Sequence, residues 1–127
     1  MATILVIDDD ANIRETFAQT LKRAGHDVLA AADGREAIRQ LAAAPADLVI
    51  LDLFMPTQDG LETITELRRN FPNVAIIAIS GGHPTSSTML SVALEMGAAK
   101  ILEKPFKSDL LLLTVQAVLR EAAFARA

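Results

Sequence analysis

Short aliphatic runs recur along the chain at Ile4 to Ile7, Val28 to Ala31, Leu48 to Leu51, Val74 to Ile79 and Lys100 to Leu102. Between them apolar residues return every three or four positions. Ile13, Phe17, Thr20 and Leu21 make one such set, Ile38 and Leu41 a second, Leu61, Ile64 and Leu67 a third. Leu111, Val115, Val118 and Leu119 make the last. Runs of the first kind read as strands and sets of the second kind as helices. The expectation is five strands alternating with five helices, hence a parallel sheet covered on both faces. Uninterrupted apolar strands fit, because strands of a parallel sheet are buried on both sides.

Polar punctuation sets the boundaries. Asp33 with Glu36, and Asp59 with Glu62, have capping-box spacing at the starts of the second and third helices. Asp9 or Asp10 is expected to cap the first helix. Gly25 and Gly97 stand where the first and fourth helices should stop, and left-handed C-terminal caps are expected there. Pro45 and Pro72 fall in turns leading into the third and fourth strands, and Asp27 and Asp47 read as turn residues. No internal repeat or linker interrupts the pattern. At 127 residues the chain reads as one domain, 1–127, with a core spanning about 3–121.

Composition narrows the class. No apolar run approaches the roughly 18 residues a membrane span needs, and the first residues lack a signal peptide's basic region and cleavage site. Cysteine is absent, which removes disulfides and thiolate metal sites. A soluble cytoplasmic protein is the expectation. The net charge is −4, and neither Trp nor Tyr is present to stack on bases. With no basic run either, no direct contact with nucleic acid and none with a membrane is expected.

The candidate chemistry lies just past the strands, where open parallel sheets bind ligands. Asp8, Asp9 and Asp10 follow the first strand, Asp52 the third, Ser80 the fourth and Lys104 with Pro105 the fifth. A strand order of 2-1-3-4-5 would bring these groups into one shallow pocket. Clustered carboxylates repel one another and call for a cation. An all-oxygen set suits Mg²⁺. Asp8, Asp9 and Asp52 carry three negative charges, which Lys104 and one Mg²⁺ would balance.

The segments Ile7-Asp8-Asp9-Asp10, Asp52-Leu53-Phe54-Met55-Pro56, Asp59-Gly60, Ser80-Gly81 and Lys104-Pro105-Phe106 together resemble the receiver domain of two-component response regulators, of the chemotaxis-regulator type. Five motifs in order at matching strand ends make the resemblance specific over residues 3 to about 121. It implies a flavodoxin-like, doubly wound (βα)5 fold of order 2-1-3-4-5. It also implies phosphorelay signal transduction, with Asp52 accepting a phosphoryl group from a sensor histidine kinase or phosphotransfer protein. Asp9 would then bind Mg²⁺ directly, Asp8 through a water, and the Phe54 carbonyl would complete the protein's share. Ser80 would be the switch hydroxyl and Lys104 the cation paired with the phosphoryl group. Such a chain is a switch rather than an enzyme, catalysing only its own phosphoryl transfer and dephosphorylation. It hands its state to a downstream protein.

Several positions depart from the receiver pattern. Ile101 stands where receivers usually carry an aromatic residue. Gly81 replaces a commoner Ala, and with Gly82 and Pro84 it is expected to give the next loop latitude. Phe54 puts a large apolar group at the pocket rim and is expected to lengthen the acyl-phosphate lifetime. His83 reads as a surface loop residue, having no second histidine or cysteine beside it. Leu110 and Leu113 point away from the face formed by Leu111, Leu112, Val115 and Leu119. They are candidates for a homodimer or partner surface on the fourth and fifth helices.

Three other classes share parts of this pattern. A hydrolase with an aspartyl-phosphate intermediate would want a second Asp two positions after Asp52, where Phe54 stands. A flavin or nucleotide carrier would want a hydroxyl-rich loop after the first strand, not three carboxylates. The alternative that keeps the fold is a degenerate receiver binding partners without phosphorylation, and retention of Asp8, Asp9, Asp52, Ser80 and Lys104 together weighs against it.

Overall fold

A computed structural model describes residues 2–55 and 58–126, and at 55, 58, 59, 125 and 126 the backbone only. Five strands, β1 (Thr3–Ile7), β2 (Asp27–Ala31), β3 (Leu48–Asp52), β4 (Ala75–Gly81) and β5 (Lys100–Lys104), form one parallel sheet. Its order is β2-β1-β3-β4-β5, the 2-1-3-4-5 order expected. The helices are α1 (Ala11–Arg23), α2 (Gly34–Ala43), α3 (Gly60–Asn70), α4 (Ser86–Glu95) and α5 (Ser108–Arg126). Phe54–Met55 also pairs antiparallel with Gln58–Asp59, directly after β3.

Strand alternation divides the core in two. Ile4, Val6, Ile50, Ile77 and Ile79 meet Leu21 of α1 and Leu111, Val115 and Val118 of α5. Leu5, Ile7, Val49, Leu51, Ile76 and Ala78 meet Leu41, Ile64, Leu67, Leu90 and Ala93 of α2, α3 and α4. Both faces of the sheet are therefore dry, and each such aliphatic side chain contributes about 1.5–3 kcal/mol on leaving water. Leu112 and Leu119 are half-buried against the α5 face, while Leu110 and Leu113 are exposed.

The caps follow the sequence closely. Asp10, not Asp9, caps α1, accepting from the backbone N–H of Asn12 at 2.8 Å. Asp33 caps α2 by accepting from the Glu36 N–H at 2.9 Å. The Glu36 carboxylate reaches back one residue further than a capping box requires, to the Ala32 N–H at 3.3 Å. The Asp59 side chain and Pro56 lie outside the described residues. Gly25 and Gly97 take the positive φ of helix C-terminal caps, 95° and 118°.

Two expectations need correction. Asp27 is not a turn residue but the first residue of β2, in register with Thr3. Asp47 behaves as expected of a connecting residue, its carboxylate accepting from the Thr3 N–H at 2.8 Å. Gly81 does not loosen the loop, because β4 runs on through Ser80 and Gly81, paired with Glu103 and Lys104. A Cβ at Gly81 would lie 2.5 Å from the Lys104 Cβ. The conformational freedom sits at Gly82, where φ is 71° and nothing crowds the position.

Candidate functional site

The parallel register brings the carboxyl ends of β1, β3, β4 and β5 to one edge, and the candidate residues meet there. Asp8 follows β1 directly, and its N–H bonds to the Ala31 carbonyl of β2 at 3.1 Å. Its side chain is buried, with Oδ1 accepting from the Asp10 N–H at 2.9 Å. The Arg14 guanidinium donates to the Asp8 carbonyl at 2.7 Å, tying α1 to this turn. Asp52 closes β3. One of its carboxylate oxygens accepts from the Phe54 N–H at 2.9 Å, and the other faces the Lys104 ammonium at 3.1 Å.

Lys104 ends β5, so its side chain must pass over β4 to reach β3. Neighbouring strands lie roughly 4.8 Å apart, so two such intervals separate β5 from β3, and the Lys104 and Asp52 side chains meet between them. Gly81, the β4 residue in register with Lys104, has no side chain to obstruct it. The ammonium also lies 3.9 Å from Asp8 Oδ2.

One cation between two buried carboxylates leaves the pocket short of positive charge. Burial pushes the Asp8 carboxyl up to about 7, with the neighbouring Asp52 charge adding to the rise. Carboxylate oxygens of Asp8, Asp9 and Asp52 lie within 4.8 Å of one another, with Asp9 exposed and the other two buried. Three convergent hard oxygen ligands and an under-compensated buried carboxylate fit a small divalent cation.

Ser80 lies next to Ile79, the β4 residue in register with Asp52. Its hydroxyl is directed elsewhere, donating to the Ser86 hydroxyl of α4 at 3.2 Å, and both serines are buried. At the rim the Phe54 ring stacks on His83, centroids 4.2 Å apart and planes 24° from parallel. Ser86 carried no signal in the sequence beyond a serine at a helix start. The Phe54–His83 stack carried none at all.

This arrangement matches a known family. The response regulator receiver domain family matches residues 4–116. The chain belongs to it. The receiver is 38% identical over 117 residues to response regulator MprA of Mycolicibacterium vanbaalenii, an alignment covering 92% of this chain and 50% of that protein. It is 33% identical over 122 residues to the alkaline phosphatase synthesis transcriptional regulatory protein PhoP of Bacillus subtilis, covering 96% of this chain and 50% of PhoP. The chain thus spans about half the length of the curated relatives it matches. Among solved structures it is similar to the receiver domain of NtrX from Brucella abortus, with TM-score 0.87 and 33% identity, covering 92% of this chain and 98% of that one. It is also similar to a response regulator receiver domain protein from Clostridium thermocellum, with TM-score 0.90 and 28% identity, covering 98% and 99% of the two chains.

The family places the chain in two-component phosphorelay signalling, and nothing favours the degenerate alternative. Receiver domains are switches, not enzymes of the usual turnover kind. Among the described residues no helix is long and apolar enough to cross a membrane.

Proposed function

We propose that this receiver takes a phosphoryl group onto Asp52 from the phosphohistidine of a sensor histidine kinase or phosphotransfer protein. The observation that carries the reading is the meeting of Asp52 with Asp8, Asp9 and Lys104 at one sheet edge, with Lys104 at 3.1 Å from Asp52. A carboxylate oxygen of Asp52 attacks phosphorus as the phosphorus–nitrogen bond breaks, and the bond's electron pair leaves with the imidazole. Charge in such a transition state spreads over the equatorial phosphoryl oxygens, so positioned cations and donors do most of the work. Lys104 supplies one cation, and the Ser80 hydroxyl, once turned toward Asp52, supplies a neutral donor.

Asp8, Asp9, Asp52 and the Phe54 carbonyl would hold Mg²⁺, Asp8 chiefly through water. The ion would neutralise the incoming phosphoryl group's charge. The acyl phosphate then hydrolyses on the receiver itself, which sets the signal's lifetime. The reading takes residues 1–127 as one receiver domain in the cytoplasm, speaking to a downstream protein and making no contact of its own with nucleic acid. Leu110 and Leu113, 47% and 63% exposed, support a homodimer or partner surface beside α4 and α5.

Intact mass after incubation with acetyl phosphate tests the central claim. One added phosphoryl group is expected with Mg²⁺, none without it, and none in Asp52→Ala. An unchanged mass with Mg²⁺, repeated with phosphorylated kinases, overturns it.

A further inference from the structure

The Ser80 hydroxyl has a single proton to donate, and in this structure the proton goes to Ser86 Oγ, 3.2 Å away on the first residue of α4. It is the only hydrogen bond that either hydroxyl makes among the described residues. Ser80 is 1% exposed and Ser86 2%, so water does not readily replace one partner for the other. Strand alternation explains the contact: Ser80 lies on the same side of β4 as Ile76 and Ala78, which pack toward α2, α3 and α4. With one proton, the hydroxyl donates either to Ser86 or to an oxygen at Asp52. Turning toward the second carries Ser80 Oγ off its 3.2 Å contact and leaves the Ser86 hydroxyl buried without a partner, which is costly. Ile101, on the same side of β5 and half-buried against that core, offers no polar atom to take over the bond.

We propose that Ser86 is a positioning residue which holds the Ser80 hydroxyl off the phosphoryl site, so that the Ser80–Ser86 pair sets how readily the receiver switches on. The proposal rests on Asp52 being the phosphoryl acceptor. Removing the Ser86 hydroxyl destabilises the resting arrangement and relieves the switched one, so both effects favour the switched state. The consequence depends wholly on Ser80. In a Ser80→Ala background the Ser86 hydroxyl lacks its partner in both states, and removing it changes nothing between them.

The test is the affinity of the full chain for trifluoroberyllate, a phosphoryl mimic, in Mg²⁺. Ser86→Ala is expected to bind roughly tenfold more tightly than wild type. The double variant Ser80→Ala/Ser86→Ala is expected to match Ser80→Ala. Ser86→Cys, close in volume and a weak acceptor, should shift affinity the same way but less, and serves if Ser86→Ala fails to fold. An unchanged or weaker affinity in both Ser86 variants overturns the proposal, as does an equal tightening in the Ser80→Ala background. Failure of wild type to bind trifluoroberyllate while still folded overturns the Asp52 reading itself, and this inference with it.

Discussion

The Phe54 ring lies face to face with the His83 imidazole, 4.2 Å between centroids. Phe54 comes from the turn after β3 and His83 from the turn after β4, so the stack bridges the two loops flanking Asp52. His83 is itself held, its Nδ1 sitting 3.0 Å from the Thr85 hydroxyl. If Asp52 carries the acyl phosphate proposed above, a half-buried ring fixed in this way would narrow the approach by which water reaches it.

Phe54→Asn should therefore shorten the acyl-phosphate lifetime several-fold, and His83→Ala should shorten it less, because Phe54 remains but loses its support. Decay of the phosphorylated mass after removal of acetyl phosphate measures both. Equal lifetimes in wild type and Phe54→Asn would show that the stack does not guard the pocket.

Asp8 makes the Mg²⁺-free receiver respond to pH in a definite direction. Its carboxyl is raised from 3.8 to about 7, first by burial and then by Asp52. The folded chain therefore takes up a proton at a higher pH than the unfolded chain does. Stability in a chelator should be flat above about pH 7 and rise as pH falls from there toward 3.8, by at most about 1.4 kcal/mol per pH unit from this one group. Asp8→Asn should be more stable than wild type at pH 8, with the gap closing as pH falls through that window. Mg²⁺ binding requires the ionised carboxylate, so wild-type affinity for the ion should weaken below pH 7. Urea melts at several pH values, with and without the ion, read out both effects.

Gly81→Ala is expected to cost about 1–3 kcal/mol, the usual range for forcing atoms into an occupied space. The added methyl would meet Lys104 backbone and Cβ atoms at 2.5–2.8 Å, and these cannot yield without moving β5. The shift should also draw the ammonium away from Asp52 and slow phosphorylation. Gly82→Ala meets no atoms, and its cost of about 1–2 kcal/mol comes from the left-handed backbone alone. Only the first substitution should impair phosphorylation, which separates the two causes.

Asp8, Asp52 and Lys104 were legible in the sequence because each ends or follows an apolar run, and parallel strands bring such ends together. Asp10 and Asp33 were legible as caps for a similarly local reason. Gly81 was misread because strand length beyond the apolar run depends on pairing, and only its register with Lys104 reveals it as strand. Ser86 and the Phe54–His83 stack were invisible for a different reason. Each depends on where a loop carries a side chain after the strand ends, and apolar periodicity says nothing about that. The features proposed to tune this receiver therefore lie in the turns and the helix start that follow β3 and β4, while those that identify it sit at the strand ends.

Leu110 and Leu113 test the remaining surface. They stand on the first turns of α5, beside the buried Leu111, and leave apolar area in water that no other described residue covers. If this area is a dimer contact, phosphorylation should raise the sedimentation coefficient of wild type. Leu110→Gln/Leu113→Gln should keep the receiver monomeric while leaving its phosphorylation rate unchanged, since neither residue lies at the Asp52 pocket. Folding stability should change little, because substitutions at exposed positions generally stay within about 0.5 kcal/mol. A wild type that remains monomeric when fully phosphorylated would rule out the dimer. A double variant that then loses affinity for a downstream protein would assign the surface to that partner instead.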